Sequence, residues 1–530
     1  MKLSQINAVY QAGHHTKSVK IRIITLATRS KLKMSKITIA AGSQITAEAG
    51  AKIAEQGGNA VDAAIAAAVV SICTDTGIMS PGCGGFINIW PPDDEPVVVD
   101  GYSTMPGQGL EGNHLGDATH EVVFDYGGET HQRVGYGTIA TPGGIAGLAH
   151  ASQRFGRLPW SSLLEPAIEW IERGFPLTGG AAEYLGFTHA AIYSWHPESY
   201  RILHHEDGSP LSEGDIVHIP HLADTLRTIA RDPASLYGGE LGQHIADGVR
   251  TNGGLLGIED LQTYEAVERV PVRATIGDWE VATNPPPAVG GSCLAAMLLL
   301  LERLGPGNNL EESVRHMVSA QRAVLGFRAD HLDGAHEALP GEVERLLTLA
   351  DLADPTLISA PSTSHISVVD SDGLACAITA SAGYGSGAMI DGTGFWLNNS
   401  LGEIDLLTKG LGGLTPGTRL ASNMAPSIAK RRSDGAVVAI GSPGASRITT
   451  AIAQVLVNFA GRNMSLLDAI NYPRLHVELA TDPGTIAFEP GLPVVSMQNL
   501  KPRPFDGPSM YFGGVQAVFG SHHDLSLIHI

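Results

Sequence analysis

Residues 365–379 constrain the fold more tightly than any other short stretch. Two runs of apolar and β-branched side chains, 365–369 and 374–379, flank Asp370-Ser371-Asp372-Gly373, which has the composition of a hairpin turn. An amphipathic segment over 311–332 precedes them, and a second helix is expected over 448–459. Strand pairs flanked by helices bury their apolar faces in layers, so the pattern points to a layered α/β or α+β fold.

The rest of the chain repeats these textures without an internal repeat. Residues 46–56 read as a helix closed by Gly57-Gly58, and Asn59 caps a second helix over 60–72, whose alanines permit close packing. Pro81-Gly82-Cys83-Gly84-Gly85 turns into a strand at 86–90, and 96–100 is the next strand. Residues 145–250 are mostly helical, with amphipathic runs at 159–173 and 222–230. Strands follow at 269–273 and 279–283, then Pro285-Pro286-Pro287 breaks the chain before a helix at 292–304. Residues 395–397 and 436–440 are further strands. Residues 1–36 carry no period; they are expected to be a poorly ordered extension, or one added by a misassigned start, with Met34 as the alternative. Residues 524–530 read as translated adapter DNA, which implies a natural C-terminus cut short; the alternative is a real terminal strand.

Composition excludes several classes of function. Hydrophobic residues make up 43% and charged residues 17%, enough for a large core. A net charge of −20 repels phosphate backbones, so nucleic acid is not an expected partner. The apolar stretches 60–72 and 293–301 fall short of the roughly 18 residues of a membrane span. Cys73, Cys83, Cys293 and Cys376 form no CxxC pair and read as core thiols of a reducing, cytoplasmic compartment. The histidine pairs His14-His15, His204-His205 and His522-His523 lack metal-site spacing, and no metal or other cofactor is expected.

Chemistry concentrates after residue 362. In Ser362-Thr363-Ser364-His365 a hydroxyl stands at the mouth of a strand. Such residues are commonly turns or caps. Threonine becomes a strong nucleophile when a base sits beside it, and its own α-amine serves once the Ser362–Thr363 bond is cut. Gly444-Ala445 falls at a strand-to-helix junction, where unpaired backbone N–H groups suit an oxyanion, although a plain tight turn has the same composition. Asn398-Asn399 with Glu403, and Ser422-Asn423, are each ordinary as surface loops. Together they offer a carboxylate for an ammonium group, and hydroxyls and amides for a carboxylate.

These motifs, in this order, resemble the γ-glutamyltranspeptidase family across roughly residues 38–480. The markers begin with Gly57-Gly58-Asn59-Ala60-Val61-Asp62-Ala63-Ala64, Gly82-Cys83-Gly84-Gly85-Phe86 and Thr141-Pro142-Gly143-Gly144. Gly253-Gly254-Leu255 with Asp260-Leu261, and Pro285-Pro286-Pro287 with Gly290-Gly291, come next. Thr363-Ser364-His365-Ile366-Ser367-Val368-Val369-Asp370, Leu397-Asn398-Asn399 and Gly441-Ser442-Pro443-Gly444-Ala445-Ser446-Arg447-Ile448 complete the set. The resemblance implies an α+β fold, the four-layer αββα sandwich of the N-terminal-nucleophile hydrolases. It implies self-cleavage into a large chain, whose folded part is 37–362, and a small chain, 363–530. Thr363 falls on the family nucleophile, Gly444 and Ala445 on its oxyanion pair, and Ser381 on a threonine that supports the nucleophile. Glu403 falls on the residue that holds the donor's ammonium, and Ser422 and Asn423 on a serine pair that touches its carboxylate; Asn399 belongs to the same pocket.

The pocket also departs from the family pattern. Members that use glutathione carry an Arg-Glu pair after a strand-ending Asp, and here Tyr102 stands where that arginine would be. Tyrosine cannot supply the charge or the paired hydrogen bonds of a guanidinium. The segment after Ser381 is shorter, with Gly383 where an Asn is expected, and the serine pair has become Ser422-Asn423. The expected substrate is therefore a γ-glutamyl or related N-acyl amide, passed to water or an acceptor amine. The alternatives are a glutaryl-type acylase of the same fold and an unprocessed, non-catalytic paralogue.

Overall fold

The hairpin forms as its turn chemistry requires. In the computed structural model, strands Ser364–Asp370 and Ala375–Ser381 pair antiparallel, with His365 opposite Thr379. Asp370 Oδ1 accepts the N–H groups of Asp372 (2.9 Å) and Leu374 (3.1 Å), and Gly373 takes φ +88° to close the turn. Asp370 Oδ2 also accepts the Ala60 N–H (3.2 Å) at the start of helix Ala60–Thr74. Asn59 and Asp62 cap that helix reciprocally, with Asn59 Oδ1 on Asp62 N (3.0 Å) and Asp62 Oδ2 on Asn59 N (2.9 Å). The hairpin and the alanine-rich helix are thus tied at one end.

The structure describes residues 5–12, 15–22, 36–110, 118–125, 129–350, 363–404, 406–407, 410–411, 414–444, 447–479, 483–497, 499–521 and 525–528. Two six-stranded antiparallel sheets dominate it. The first runs Val267–Arg269, Val97–Gly101, Gly84–Trp90, Ala375–Ser381, Ser364–Asp370, Ile37–Ala41. The second runs Val272–Ile276, Trp279–Thr283, Ser427–Arg431, Val437–Gly441, Gln516–Gly520, Leu525–Ile528. Between them lies a thin layer of mostly small side chains, including Ala40, Ala282, Ala375, Ala377 and Ala439. Larger cores cover the outer faces. Helix Ala60–Thr74 and its neighbours pack on the first sheet, and helices Val289–Leu304 and Arg447–Leu456 on the second, with helix Leu310–Phe327 laid against Val289–Leu304. The order is helix, sheet, sheet, helix: the four-layer αββα sandwich.

Two expected elements are built differently. The strand expected over 269–273 is two strands in two sheets, Val267–Arg269 and Val272–Ile276. Pro271 has no N–H to continue a ladder, so the chain crosses from one sheet to the other there. The amphipathic segment over 311–332 is helix Leu310–Phe327 followed by a wider turn, Arg328–Leu332. Outside the sandwich, Gln5–Ala12 and His15–Arg22 pair with each other. Residues 525–528, expected to be foreign, lie on Gln516–Gly520 as an edge strand. All four cysteines are buried free thiols. Among the described residues no helix is long and apolar enough to cross a membrane.

The thin middle layer leaves no room for growth. A Cβ built on Gly441 would sit 2.3 Å from the His365 ring. Gly441→Ala is expected to cost about 1–3 kcal/mol by overpacking, read as a lower denaturation midpoint at unchanged m-value.

Candidate active site

Alternation along Ser364–Asp370 decides what faces what. Ile366 and Val368 join the core under the helices, whereas Val369 joins the layer between the sheets. His365 and Ser367 share the Val369 face. Ser367 Oγ donates across to the Gln516 carbonyl of the second sheet at 3.3 Å. It therefore accepts from His365 Nε2 (2.8 Å), and His365 Nδ1 accepts the Thr379 hydroxyl at 2.7 Å. Burial lowers the His365 pKa from 6.5 to about 3, so the ring is neutral. Thr363, two residues before His365, falls on the same inter-sheet face, 5% exposed. The register ends with Ser364 opposite Ala380; extended by one step, it puts Thr363 at the level of Ser381.

The end of strand Val437–Gly441 meets this point from the second sheet, with Gly441 against His365. The turn that follows needs glycine at 444: φ is +120°, and a Cβ would lie 2.7 Å from Gly513 Cα. Arg474 Nη1 holds the Gly513 carbonyl at 2.6 Å, and Arg447 Nε holds that of Tyr511 at 2.8 Å. Helix Arg447–Leu456 starts at once, its first N–H on the Gly444 carbonyl at 3.0 Å. Ala445 lies outside the described residues, as do residues 351–362, Ser362 among them.

The polar clusters converge beside Ser381. Ser381 Oγ accepts the Gly383 N–H at 3.0 Å. Gly383, at φ +64°, lies so close to Asn399 and Glu403 that a Cβ would meet Asn399 Oδ1 at 2.1 Å and Glu403 Oε1 at 3.1 Å. The Asn399 amide bridges two backbones, accepting from Tyr384 N (2.7 Å) and donating to the Arg133 carbonyl (3.1 Å). Asn398, its neighbour, is bonded to Gly82 and Ala140 carbonyls at 2.9 and 3.0 Å. Tyr102 is buried, with its hydroxyl beside those of Ser422 and Ser400; burial first and the Glu403 carboxylate second hold its pKa well above 10. Ser422 Oγ accepts the Met424 N–H at 3.2 Å, and Asn423 Oδ1 accepts from Arg328 Nη1.

Sequence reasoning missed several parts of this pocket. Arg328 is buried and paired with Asp333 at 2.9 Å, yet in sequence it sits inside an amphipathic pattern that marks it as surface. Ser400 follows Asn398-Asn399 directly, and the polar run itself was a signal. Beneath Tyr102, fully buried Asp100 binds Arg269 (2.7 Å) and Arg419 (3.3 Å). Arg419 also donates to the carbonyls of Tyr102 (3.2 Å) and Asp100 (3.3 Å) and lies over the Tyr264 ring. Arg419 and Arg447, the two cations nearest in sequence to these loops, are both engaged with protein. Among the described residues no three His, Cys, Asp or Glu side chains gather to hold a metal ion.

The γ-glutamyltranspeptidase family profile matches residues 46–527. The chain belongs to that family. The glutathione hydrolase proenzyme of Pseudomonas aeruginosa is 31% identical over 488 residues, covering 83% of each chain. The acylase ACY 1 proenzyme of Pseudomonas sp. strain V22 is 30% identical, over 87% of this chain and 85% of its own. In three dimensions the chain superposes on a cephalosporin acylase from Bacillus halodurans with a TM-score of 0.75 at 22% identity, over 95% of both chains. The fold is thus that of the N-terminal-nucleophile hydrolases, and the protein is a γ-glutamyltranspeptidase-like hydrolase or acyl transferase.

His365 gives the family's sandwich here a definite acid sensitivity. Its folded pKa lies below the unfolded value, so below pH 6.5 the unfolded chain binds a proton that the folded one refuses. Stability from this residue is kept above that pH and lost as pH falls toward 3. In a chain kept single by Thr363→Ala, His365 should cost about 1.4 kcal/mol per pH unit below about pH 6 relative to His365→Gln in the same background, measured by denaturant unfolding at pH 7, 6 and 5.

Proposed function

We propose that Thr363 is the nucleophile of a self-processed enzyme that transfers the acyl group of an amide to water or an amine. The observation that carries the reading is the position of Thr363. It heads a central strand on the inter-sheet face, at the level of Ser381, at the end where the turn from Gly441 to Gly444 meets the first sheet. Cutting the Ser362–Thr363 bond frees an α-amine beside the hydroxyl. Thr363 Oγ then attacks the donor carbonyl and its proton passes to that amine. The oxyanion is held by the N–H groups of Gly444 and Ala445. The C–N bond breaks, the leaving amine takes the proton, and the ester on Thr363 is released by water or an acceptor amine. The four buried free thiols support a reducing, cytoplasmic setting.

For the donor, Glu403 is the carboxylate for an ammonium group, and Ser422 and Asn423 are the groups for a carboxylate. Asn399, with both ends of its amide on backbone, shapes the loop. These roles fit a γ-glutamyl amide, in line with the glutathione hydrolase relatives. Tyr102 favours a second reading. It brings no positive charge to the carboxylate end, and Arg419 is committed to Asp100. A glutaryl-type amide keeps the carboxylate and lacks only the α-amino group, so it asks less of Glu403 alone; an acyl chain with neither group asks least of this pocket, and the acylase relatives agree with such a donor.

Two experiments test these assignments. Purified protein should resolve by mass spectrometry into two chains, the second starting at Thr363; Thr363→Ala should stay single and lose activity by on the order of 10⁴-fold or more. If Ser364→Ala instead blocks both, the nucleophile is misassigned by one residue. For the donor, kinetics with γ-glutamyl-p-nitroanilide and butyryl-p-nitroanilide, which lacks both the α-amino and α-carboxyl groups, should show the butyryl amide cleaved as well or better. Tyr102→Arg should shift preference toward the γ-glutamyl donor by roughly 30-fold or more, the scale of a buried charged hydrogen bond.

A further inference from the structure

Helix Ala60–Thr74 is buried along its whole length, and at its C-terminal end it carries two polar side chains that the acyl-transfer steps do not use. Ser71 Oγ donates to Asp75 Oδ2 at 2.5 Å, and the Ser71 and Ser364 hydroxyl oxygens are 3.2 Å apart. Ser71 has one proton and it is on Asp75, so Ser364 donates in the second bond. The backbone fixes Asp75 as well: its N–H is on the Ser71 carbonyl (2.9 Å), and its carbonyl accepts from Ile78 (3.0 Å) and Met79 (2.9 Å). All three side chains are buried, at 1% (Ser71), 6% (Asp75) and 8% (Ser364) exposure. Ser364 directly follows Thr363, and its side chain leaves the opposite face of the strand. The line of bonds therefore anchors the strand to the helix layer at the residue next to the nucleophile.

We propose that Asp75, acting through Ser71 on Ser364, is the residue that positions Thr363 for cleavage of the chain and for acyl transfer. The proposal rests on the assignment of Thr363 as nucleophile. A strand end that begins beside a cut frays unless something holds it, and a shift of about 1 Å at a nucleophile costs on the order of 100-fold in rate. The anchor has a polarity. Ionised Asp75 takes the Ser71 proton and so obliges Ser364 to donate; protonated Asp75 donates to Ser71 and reverses the line. Burial raises the Asp75 pKa from 3.8 to about 6, opposed only by the Ser71 bond. The neighbouring titratable groups do not alter this. Cys73, Cys83, Cys376 and His365 are neutral at these pH values, Asp62 and Asp370 lie at the far end of the helix, and the charges of the flanking helices, such as Lys52 with Glu169, are exposed.

The test is the rate at which the purified full-length chain converts into two chains between pH 5 and 8. The wild type should mature faster as pH rises through about 6. Asp75→Asn and Ser71→Ala should mature at least 10-fold more slowly, with that pH dependence gone. Ser71→Thr, which keeps the hydroxyl, should stay within about threefold of wild type. A purely structural role would slow the variants without removing the acid limb. Maturation of Asp75→Asn or Ser71→Ala at the wild-type rate, or with the acid limb intact, overturns the proposal. A wild-type chain that never cleaves, at any pH, overturns the nucleophile assignment and this inference with it.

Discussion

Everything in this structure depends on how closely two sheets approach. Face-to-face sheets usually stand about 10 Å apart, and the facing side chains decide whether polar groups from both can share one site. Here half of the buried apolar side chains in that layer are alanines, beside three valines, Ile428 and Trp90, with Gly441 beneath His365. At about 0.8 kcal/mol per buried methyl-sized group, such a layer adds little stability beside the leucine- and valine-rich cores under the outer helices. What it provides is proximity. Ser367 on one sheet reaches a carbonyl on the other, and the turn after Gly441 comes to the end of the strand that Thr363 begins.

Buried charge sets what the polar cluster beside Ser381 has to offer. Asp100 is fully buried between Arg269 and Arg419, and removing one partner of such a group costs about 3–5 kcal/mol. A new ionic hydrogen bond to a ligand returns about 1.5–3 kcal/mol. Turning Arg419 toward a substrate is therefore a net loss, and the cation stays structural. The same arithmetic keeps Arg328 on Asp333, with Asn423 Oδ1 as a second acceptor. Tyr102, with its hydroxyl protonated near Glu403, makes this end of the pocket neutral or negative.

Local chemistry was legible in the sequence, and long-range packing was not. The turn at Asp370-Ser371-Asp372-Gly373 and the cap at Asn59 act within a few residues, and both elements stand where composition put them. Gly383 and Gly444 show their positive φ only in three dimensions, though the glycines themselves marked the turns. Strand 269–273 was misjudged because alternation says nothing about which sheet a residue joins, and the break that Pro271 imposes was not weighed. Arg328 was invisible because its partners, Asp333 and Asn423, come from a turn and from a loop 95 residues away. Ser71 and Asp75 were hidden by the apolar run around them, which reads as core.

The strand order of the first sheet carries one more consequence. Ser364–Asp370 and Ala375–Ser381 lie between Ile37–Ala41 and Gly84–Trp90, so segments from before and after Thr363 interleave. A chain opened ahead of Thr363 would be two polypeptides woven through one ladder, unable to part without dissolving both sheets. Such a pair, once unfolded, must find each other again from solution, with each half lacking the strands that complete its sheet. The persistence of the opened protein is then governed by how slowly it comes apart rather than by an equilibrium it can revisit. If the chain is cut there, the weave would make that cut a one-way passage from a foldable single chain to a pair that does not reassemble.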